Sequence, residues 1–153
     1  MMTRATRSVL FWTMLVSALA LAAVPVGSAT PRSPVTISNT VTFDDVPDPF
    51  TTTGGILCPS GASGTPFAVF VGGQSGFKAQ ILVGKHFMCA DGSGTFDLLL
   101  RVTLDFTTGA TDGTWSVVSG TGDYDKLHGG GGIDGTPFAG GIQDEYGGSV
   151  HID

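Results

Sequence analysis

Basic residues are scarce in this sequence, and charged residues of either sign are few. The 153 residues include 7 Lys and Arg against 13 Asp and Glu, and charged side chains make up 13% of the chain, about half the usual share. A protein that binds nucleic acid needs a basic face to neutralise phosphates. The net charge of -6 therefore argues against a nucleic-acid partner and predicts repulsion from anionic membrane surfaces.

Residues that favour helices are also few, whereas glycine is abundant. The chain has 24 glycines, where an average chain of this length has roughly 11, so a helical bundle is disfavoured. Hydrophobic residues reach 41% and include ten Phe, which is enough apolar surface to form a core and argues against disorder. The length fits one domain.

The N-terminal segment has the layout of a secretory signal peptide. Arg4 and Arg7 precede nineteen uncharged, mostly apolar residues, 8–26, and small residues then lead to Ala29. We expect cleavage after Ala29, which leaves residues 30–153 as a single secreted, extracellular domain without a membrane segment. The alternative is a permanent transmembrane anchor, since about 18 apolar residues can span a bilayer.

Only two cysteines are present, Cys58 and Cys89. Export would bring them into an oxidising environment, where a disulfide is the default expectation. The alternative is a zinc site in which His86, three residues before Cys89, joins the two thiolates. The closely paired cysteines of most such sites are missing, so we expect the disulfide and no metal.

Strand patterns dominate the remaining chain, most clearly at residues 96–106, where apolar side chains occupy every even position. This period-two alternation predicts a long strand with one face in a core. Residues 35–43 and 147–153 also predict strands, 67–71 and 77–83 predict a hairpin around a five-residue glycine loop, and 44–50 and 59–66 predict turns or loops. The expected fold is all-β, a small antiparallel barrel of about eight strands, with a β-sandwich as the second choice.

A glycine- and aspartate-rich segment, residues 120–137, admits two interpretations from its residues. Residues 129–134 match the start of the calcium-binding nonapeptide repeat, and Asp125 falls in register nine residues before Asp134. Asp123, Tyr124, Asp125 and Asp134 are therefore the candidate ligand or calcium residues. In the second interpretation the aspartates are solvated turn residues, and Tyr124 and Leu127 plug one end of a barrel.

The same segment carries a family resemblance. Residues 115–131, W-S-V-V-S-G-T-G-D-Y-D-K-L-H-G-G-G, resemble the pattern G-T-G-x-Y-x-x-L-x-G-x-G of exported actinobacterial proteins of unknown function. They are also similar, more distantly, to the corresponding turn of allene oxide cyclase and dirigent-like barrels. The resemblance implies an eight-stranded antiparallel barrel with a central cavity, and it transfers no catalytic residue to this chain.

No catalytic motif emerges from the residues. Residues 73–76, G-Q-S-G, lack the spacing of a nucleophile elbow. Acidic pairs for glycoside hydrolysis are available, and we expect them to be solvated loop tips; they are Asp44, Asp45, Asp48, Asp144 and Glu145.

A small barrel lined by Phe, Leu and Val can hold one apolar molecule. The leading hypothesis is therefore a non-catalytic barrel that binds a small hydrophobic ligand and uses no cofactor. The alternatives are a cofactor-free isomerase or cyclase, which the resemblance implies, an extracellular interaction or structural protein with a filled interior, and a calcium-binding protein.

Overall fold

The computed structural model describes residues 30–44 and 47–153, and the expected signal peptide, residues 1–29, lies outside them. The described chain forms eight antiparallel strands and no helix. The strands are β1 (Ser33–Thr42), β2 (Asp48–Thr53), β3 (Ser60–Ser75), β4 (Lys78–Cys89), β5 (Gly94–Asp105), β6 (Thr111–Gly122), β7 (Leu127–Phe138) and β8 (Gly141–Ile152). Within these ranges no helix could therefore cross a membrane.

The strands close into a barrel. Each strand pairs with the next in sequence, and β8 returns to β1 through ten residue pairs, from Ser33–Val150 to Thr42–Gly141. Each of the eight strands therefore has a neighbour on both sides, and the predicted eight-stranded antiparallel barrel is confirmed over the sandwich. The C-terminal strand predicted at residues 147–153 is the end of β8, the strand that closes the sheet.

Because consecutive strands run in opposite directions, the connections between them lie alternately at the two ends of the barrel. The β1–β2, β3–β4, β5–β6 and β7–β8 turns lie at one end, here called the open end. The other three connections and both ends of the described chain lie at the opposite end, here called the plugged end. Successive side chains of a strand point alternately to the outer surface and to the interior of the barrel.

Aromatic side chains fill the half of the barrel next to the plugged end. Phe87 and Phe96 stack in parallel with ring centroids 4.9 Å apart, and Phe50 packs edge-on against Phe87 at 5.0 Å. Tyr124 closes the end by packing edge-on against Phe96 at 5.7 Å, and Leu127 beside it is also buried. The predicted plug of Tyr124 and Leu127 is confirmed.

The alternation at residues 96–106 forms β5 as predicted, and its inward side chains from Phe96 to Val102 are buried. Three predicted turns or loops differ from the structure. The turn predicted at residues 44–50 ends earlier, because β2 begins at Asp48. Residues 60–66 belong to β3, because their small side chains let it pack against the core; a Cβ on Gly61 would come within 2.6 Å of the Phe50 ring. The glycine loop at 72–76 is shorter than predicted, since β3 continues to Ser75.

The predicted disulfide between Cys58 and Cys89 is confirmed, with the two Cα atoms 5.8 Å apart. Cys58 lies in the β2–β3 connection and Cys89 ends β4, so the bridge ties the plugged end across 31 residues of sequence. The zinc alternative is excluded, because both thiols are used in the bridge.

We expect the double substitution Cys58→Ser, Cys89→Ser to lower the stability of the barrel strongly. Opening a loop of this length restores denatured-state entropy of about 3.5 kcal/mol, which corresponds to a fall in Tm of roughly 10 °C for a domain of this size. Calorimetry of the oxidised wild type and the double variant measures the difference. A Tm that stays the same in both proteins would contradict a structural role for the bridge.

Candidate ligand-binding site

The half of the barrel next to the open end contains a cavity of about 480 Å³. This volume lies within the range of about 300 to 1,000 Å³ that is typical of small-molecule sites. Its walls are largely aliphatic and include Ile81, Val83, Leu100, Val102, Ile133 and Ile142. The cavity exists because these side chains are smaller than the aromatic rings that fill the other half.

Period-two alternation on β4 brings a lysine into this apolar interior. Ala79, Ile81, Val83, Lys85 and Phe87 all point inward, so Lys85 follows the cavity wall and precedes the aromatic core. Its side chain is only 2% exposed. Lys85 therefore forms part of the cavity floor, at the boundary between the hollow and the filled halves.

Two oxygen groups next to Lys85 compensate for its burial. Its Nζ donates a hydrogen bond to Thr65 Oγ1 at 3.0 Å and lies 3.7 Å from Asp48 Oδ2. Thr65 occupies a bulge of β3 between Gly64 and Phe67, directly across from Lys85. A bulge redirects a side chain locally, and here it turns the Thr65 hydroxyl toward the ammonium group.

Asp48, the first residue of β2, is held in place from its other side. Its Oδ1 accepts hydrogen bonds from the backbone N–H of Thr42 at 2.8 Å and from Thr42 Oγ1 at 3.2 Å. The carboxylate is therefore fixed by the end of β1 and directs its second oxygen toward Lys85. Buried ions are stable only with such partners.

Asp144 on β8 is the second carboxyl group of the floor, and it lines the cavity. Burial raises its pKa from 3.8 to about 6, against the opposing effects of Lys85 and of a hydrogen bond from Tyr146. The Tyr146 hydroxyl donates to Oδ2 over 3.4 Å. Gly135 lies opposite on β7, where a Cβ would come within 2.7 Å of Asp144 Oδ1, so glycine leaves room for the carboxyl group.

Burial also lowers the pKa of Lys85, and the charges of Asp48 and Asp144 act in the opposite direction. The three groups therefore form one electrostatic unit, here called the polar floor and consisting of Lys85, Asp48 and Asp144. Below it, Ser63 Oγ donates to Asn39 Oδ1 and Asn39 Nδ2 donates to the carbonyl of Pro49, each over 3.0 Å. These hydrogen-bonded groups lie between the polar floor and the aromatic core.

Exposed phenylalanines surround the open end. Each of the four turns there carries at least one, and together they are here called the phenylalanine collar: Phe43, Phe70, Phe77, Phe106 and Phe138. They are 44% to 77% exposed. Phe43 and Phe138 also line the cavity, so the apolar surface continues from the cavity walls to the outer rim of the barrel.

The candidate residues of the glycine- and aspartate-rich segment lie apart from this cavity. Asp123 and Asp125 are exposed in the β6–β7 turn at the plugged end, whereas Asp134 is exposed on the outer face of β7. Asp134 lies seven residues beyond Leu127, which is about 23 Å along a strand. It therefore cannot share a cation with the two turn aspartates.

Tyr124, which lies between Asp123 and Asp125 in sequence, is buried, and its hydroxyl lies 3.0 Å from Ser93 Oγ. Its position at the plugged end makes it a core residue. In residues 30–44 and 47–153, no cluster of three or more His, Cys, Asp or Glu side chains is arranged to hold a metal ion.

A serine, an aspartate and a histidine meet on the outer wall. Ser119 Oγ donates to Asp97 Oδ2, and the other oxygen of Asp97 contacts His86 Nδ1. The carboxylate thus lies between the hydroxyl and the imidazole. Nucleophilic catalysis requires the hydroxyl to donate to the imidazole, so this group does not form a catalytic triad.

The expectation that the acidic residues are solvated loop tips is wrong for Asp48 and Asp144, which are both buried in strands. Lys85 was not among the residues predicted for a site. Period-two alternation could have identified both residues. Lys85 lies two residues from Val83 and from Phe87, so it points to the same face of the strand as they do, and Asp144 shares a face with Tyr146 in the same way. Gly84, next to Lys85, and Gly147 and Gly148, after Tyr146, interrupt the apolar pattern and conceal it.

Comparison of the chain with protein-family models, curated proteins and solved structures finds no match. The resemblance to allene oxide cyclase and dirigent-like barrels stays a prediction.

We expect Asp144→Asn to remove a pH dependence of stability. Because the pKa of Asp144 is about 6 in the folded protein and its ordinary value is 3.8, the folded state holds this proton more tightly than the unfolded chain. The resulting stabilisation is fully present below about pH 4 and is lost as the pH rises through about 6. The variant lacks this loss, so its unfolding free energy relative to wild type should rise by about 2 to 3 kcal/mol between these limits.

Urea unfolding at both pH values measures this change. Glu145→Gln is the matched control, since Glu145 is the neighbouring residue, carries the same charge and is exposed. An equal effect of the two substitutions would contradict the assignment to Asp144.

Proposed function

We propose that this protein binds a small, mostly apolar molecule in the cavity at the open end, without catalysis and with the polar end of the ligand at the polar floor. The observation that carries the proposal is the 480 Å³ cavity with aliphatic walls and two ionisable groups, Lys85 and Asp144, in its lining. Few, well-placed polar groups in an apolar cavity are characteristic of small-molecule sites.

The two parts of the cavity would contribute differently to binding. The aliphatic walls supply affinity through the apolar area that they and the ligand remove from water, at about 25 cal/mol per Å². This contribution has no direction. Hydrogen bonds to Lys85 and Asp144 would fix which end of the ligand enters first, because an unpaired polar group left at the floor costs more than a paired one.

The phenylalanine collar supports entry from the open end. Its rings continue the apolar surface of the walls outward, so a ligand longer than the cavity would still contact protein beyond the rim. The plugged end offers no such route, because Tyr124 and Leu127 are buried there.

We expect the neutral fluorophore 1-aminoanthracene to bind and to show blue-shifted emission, and we expect 1-decanol to displace it. Ala68→Trp should weaken binding at least about tenfold, because Ala68 lines the cavity and a tryptophan there would occupy it. The matched control is Val69→Trp on the next residue of β3, which is exposed like Ala68 but does not line the cavity.

Native mass spectrometry of the protein purified from its host complements this titration, since a retained ligand adds mass that is lost on gentle activation. Absence of binding by both methods would contradict the proposal. The interaction-protein hypothesis would then take its place, with the phenylalanine collar as the contact surface.

We also propose that the protein is exported and acts outside the cytoplasm. The support is the Cys58–Cys89 disulfide, which persists in oxidising compartments, together with the charge and hydropathy pattern of residues 1–29. We expect the mature protein in the culture medium to begin at Thr30 and to weigh about two daltons less than its reduced form. An intact Met1 on cell-retained protein would contradict export.

A further inference from the structure

We propose that the cavity selects neutral oxygen-bearing ligands, alcohols, aldehydes or ketones, and rejects the corresponding carboxylates at neutral pH. This inference rests on the proposed function, because it specifies the ligand class of the same cavity. It is carried by the charges and hydrogen-bond partners of the polar floor.

The charge of the polar floor is unfavourable for an anion. Lys85 and Asp48 lie 3.7 Å apart, and this pair is neutral whether the shared proton resides on the amine or on the carboxylate. The positive charge is therefore already balanced before a ligand arrives. Asp144 adds a second carboxyl group, so the floor has a net charge of -1 whenever Asp144 is ionised.

The other titratable groups near Asp144 do not reverse this sign. Asp48 on β2 and Glu145 on β8 both add negative charge, and Lys85 on β4 is the cation that opposes them. The Tyr146 hydroxyl on β8 stays protonated, since burial raises its pKa well above the ordinary value. In the described part of the chain, Lys85 and Asp144 are the only titratable side chains that line the cavity.

The hydrogen-bond partners of the floor match a hydroxyl or a carbonyl oxygen. An ammonium group has three N–H donors, and within the described residues Thr65 is the hydrogen-bond acceptor found for Lys85. Among the described residues, Tyr146 is the one side-chain donor found for Asp144, over a long distance of 3.4 Å. A ligand hydroxyl could accept from Lys85 and donate to Asp144, and a carbonyl could accept from Lys85.

A carboxylate at the same position would have no such complement. One of its oxygens could accept from Lys85, but the second would meet the Asp144 carboxylate inside an apolar cavity. Like charges repel more strongly in a medium of low dielectric constant than in water. The repulsion between the ligand and Asp144 disappears when Asp144 is protonated, since its carboxyl group then becomes a hydrogen-bond donor.

The experiment compares 1-decanol with decanoate, which have the same chain length, by displacement of 1-aminoanthracene at about pH 7.5, where Asp144 is ionised. We expect decanoate to bind at least about tenfold more weakly than 1-decanol in the wild type. Asp144→Asn should reduce this difference to less than about threefold. The control Glu145→Gln removes an equal charge outside the cavity and should leave the difference unchanged.

A second measurement uses the wild type alone and decides the matter if Asp144→Asn does not fold. Decanesulfonate remains an anion over the whole accessible pH range, so any pH dependence of its binding reports on the protein. Its affinity should rise about tenfold as the pH falls from about 8 to 5 and Asp144 takes up its proton. The affinity of 1-decanol should change much less over this range.

The outcomes separate the two proposals. If decanoate binds as tightly as 1-decanol in the wild type, or if decanesulfonate binding is independent of pH, the ligand class is wrong while the cavity remains a binding site. If neither the fluorophore nor 1-decanol binds, the proposed function itself fails, and the inference about ligand class fails with it.

Discussion

The ion pair between Lys85 and Asp48 is the constraint around which the interior of this barrel is arranged. A lysine at 2% exposure is stable only with an anionic partner and further hydrogen bonds. Asp48 therefore begins β2 at the point where Thr42 can hold it, and the bulge of β3 brings Thr65 across from the amine. This requirement for partners fixes the height of the polar floor and separates the two halves of the interior.

The division of the interior follows from side-chain size above and below that floor. Eight strands enclose a space that side chains can just fill. Stacked rings such as Phe87 and Phe96 fill it on the plugged side, and aliphatic residues such as Val83 and Val102 leave it hollow on the open side. The same alternation along β4 and β5 therefore produces both a stable core and a cavity.

Much of the fold could be predicted from single segments, because period-two alternation at residues 96–106 and the two cysteines are local signals. The polar floor could not. Lys85 and Asp144 lie on β4 and β8, separated by about half of the described residues, and their meeting depends on how β8 closes against β1 and on the register of several strands between them. Acidic residues in segments rich in glycine or proline are most often solvated, and the alternation shared with Tyr146 is a weak local sign that Asp144 is an exception.

Stability alone does not account for the polar floor. An aliphatic residue in place of Asp144 would continue the cavity wall, whereas the carboxyl group is buried at an energetic cost that its raised pKa reports. The neighbouring Asn39 and Ser63 differ, because both side chains hydrogen-bond at 3.0 Å, to each other and to the backbone. Asp144 makes the longest hydrogen bond of these groups, and its carboxyl group lines the cavity. Buried ionisable groups that cost stability are concentrated at functional sites, and here the cost falls where an incoming polar group would relieve it.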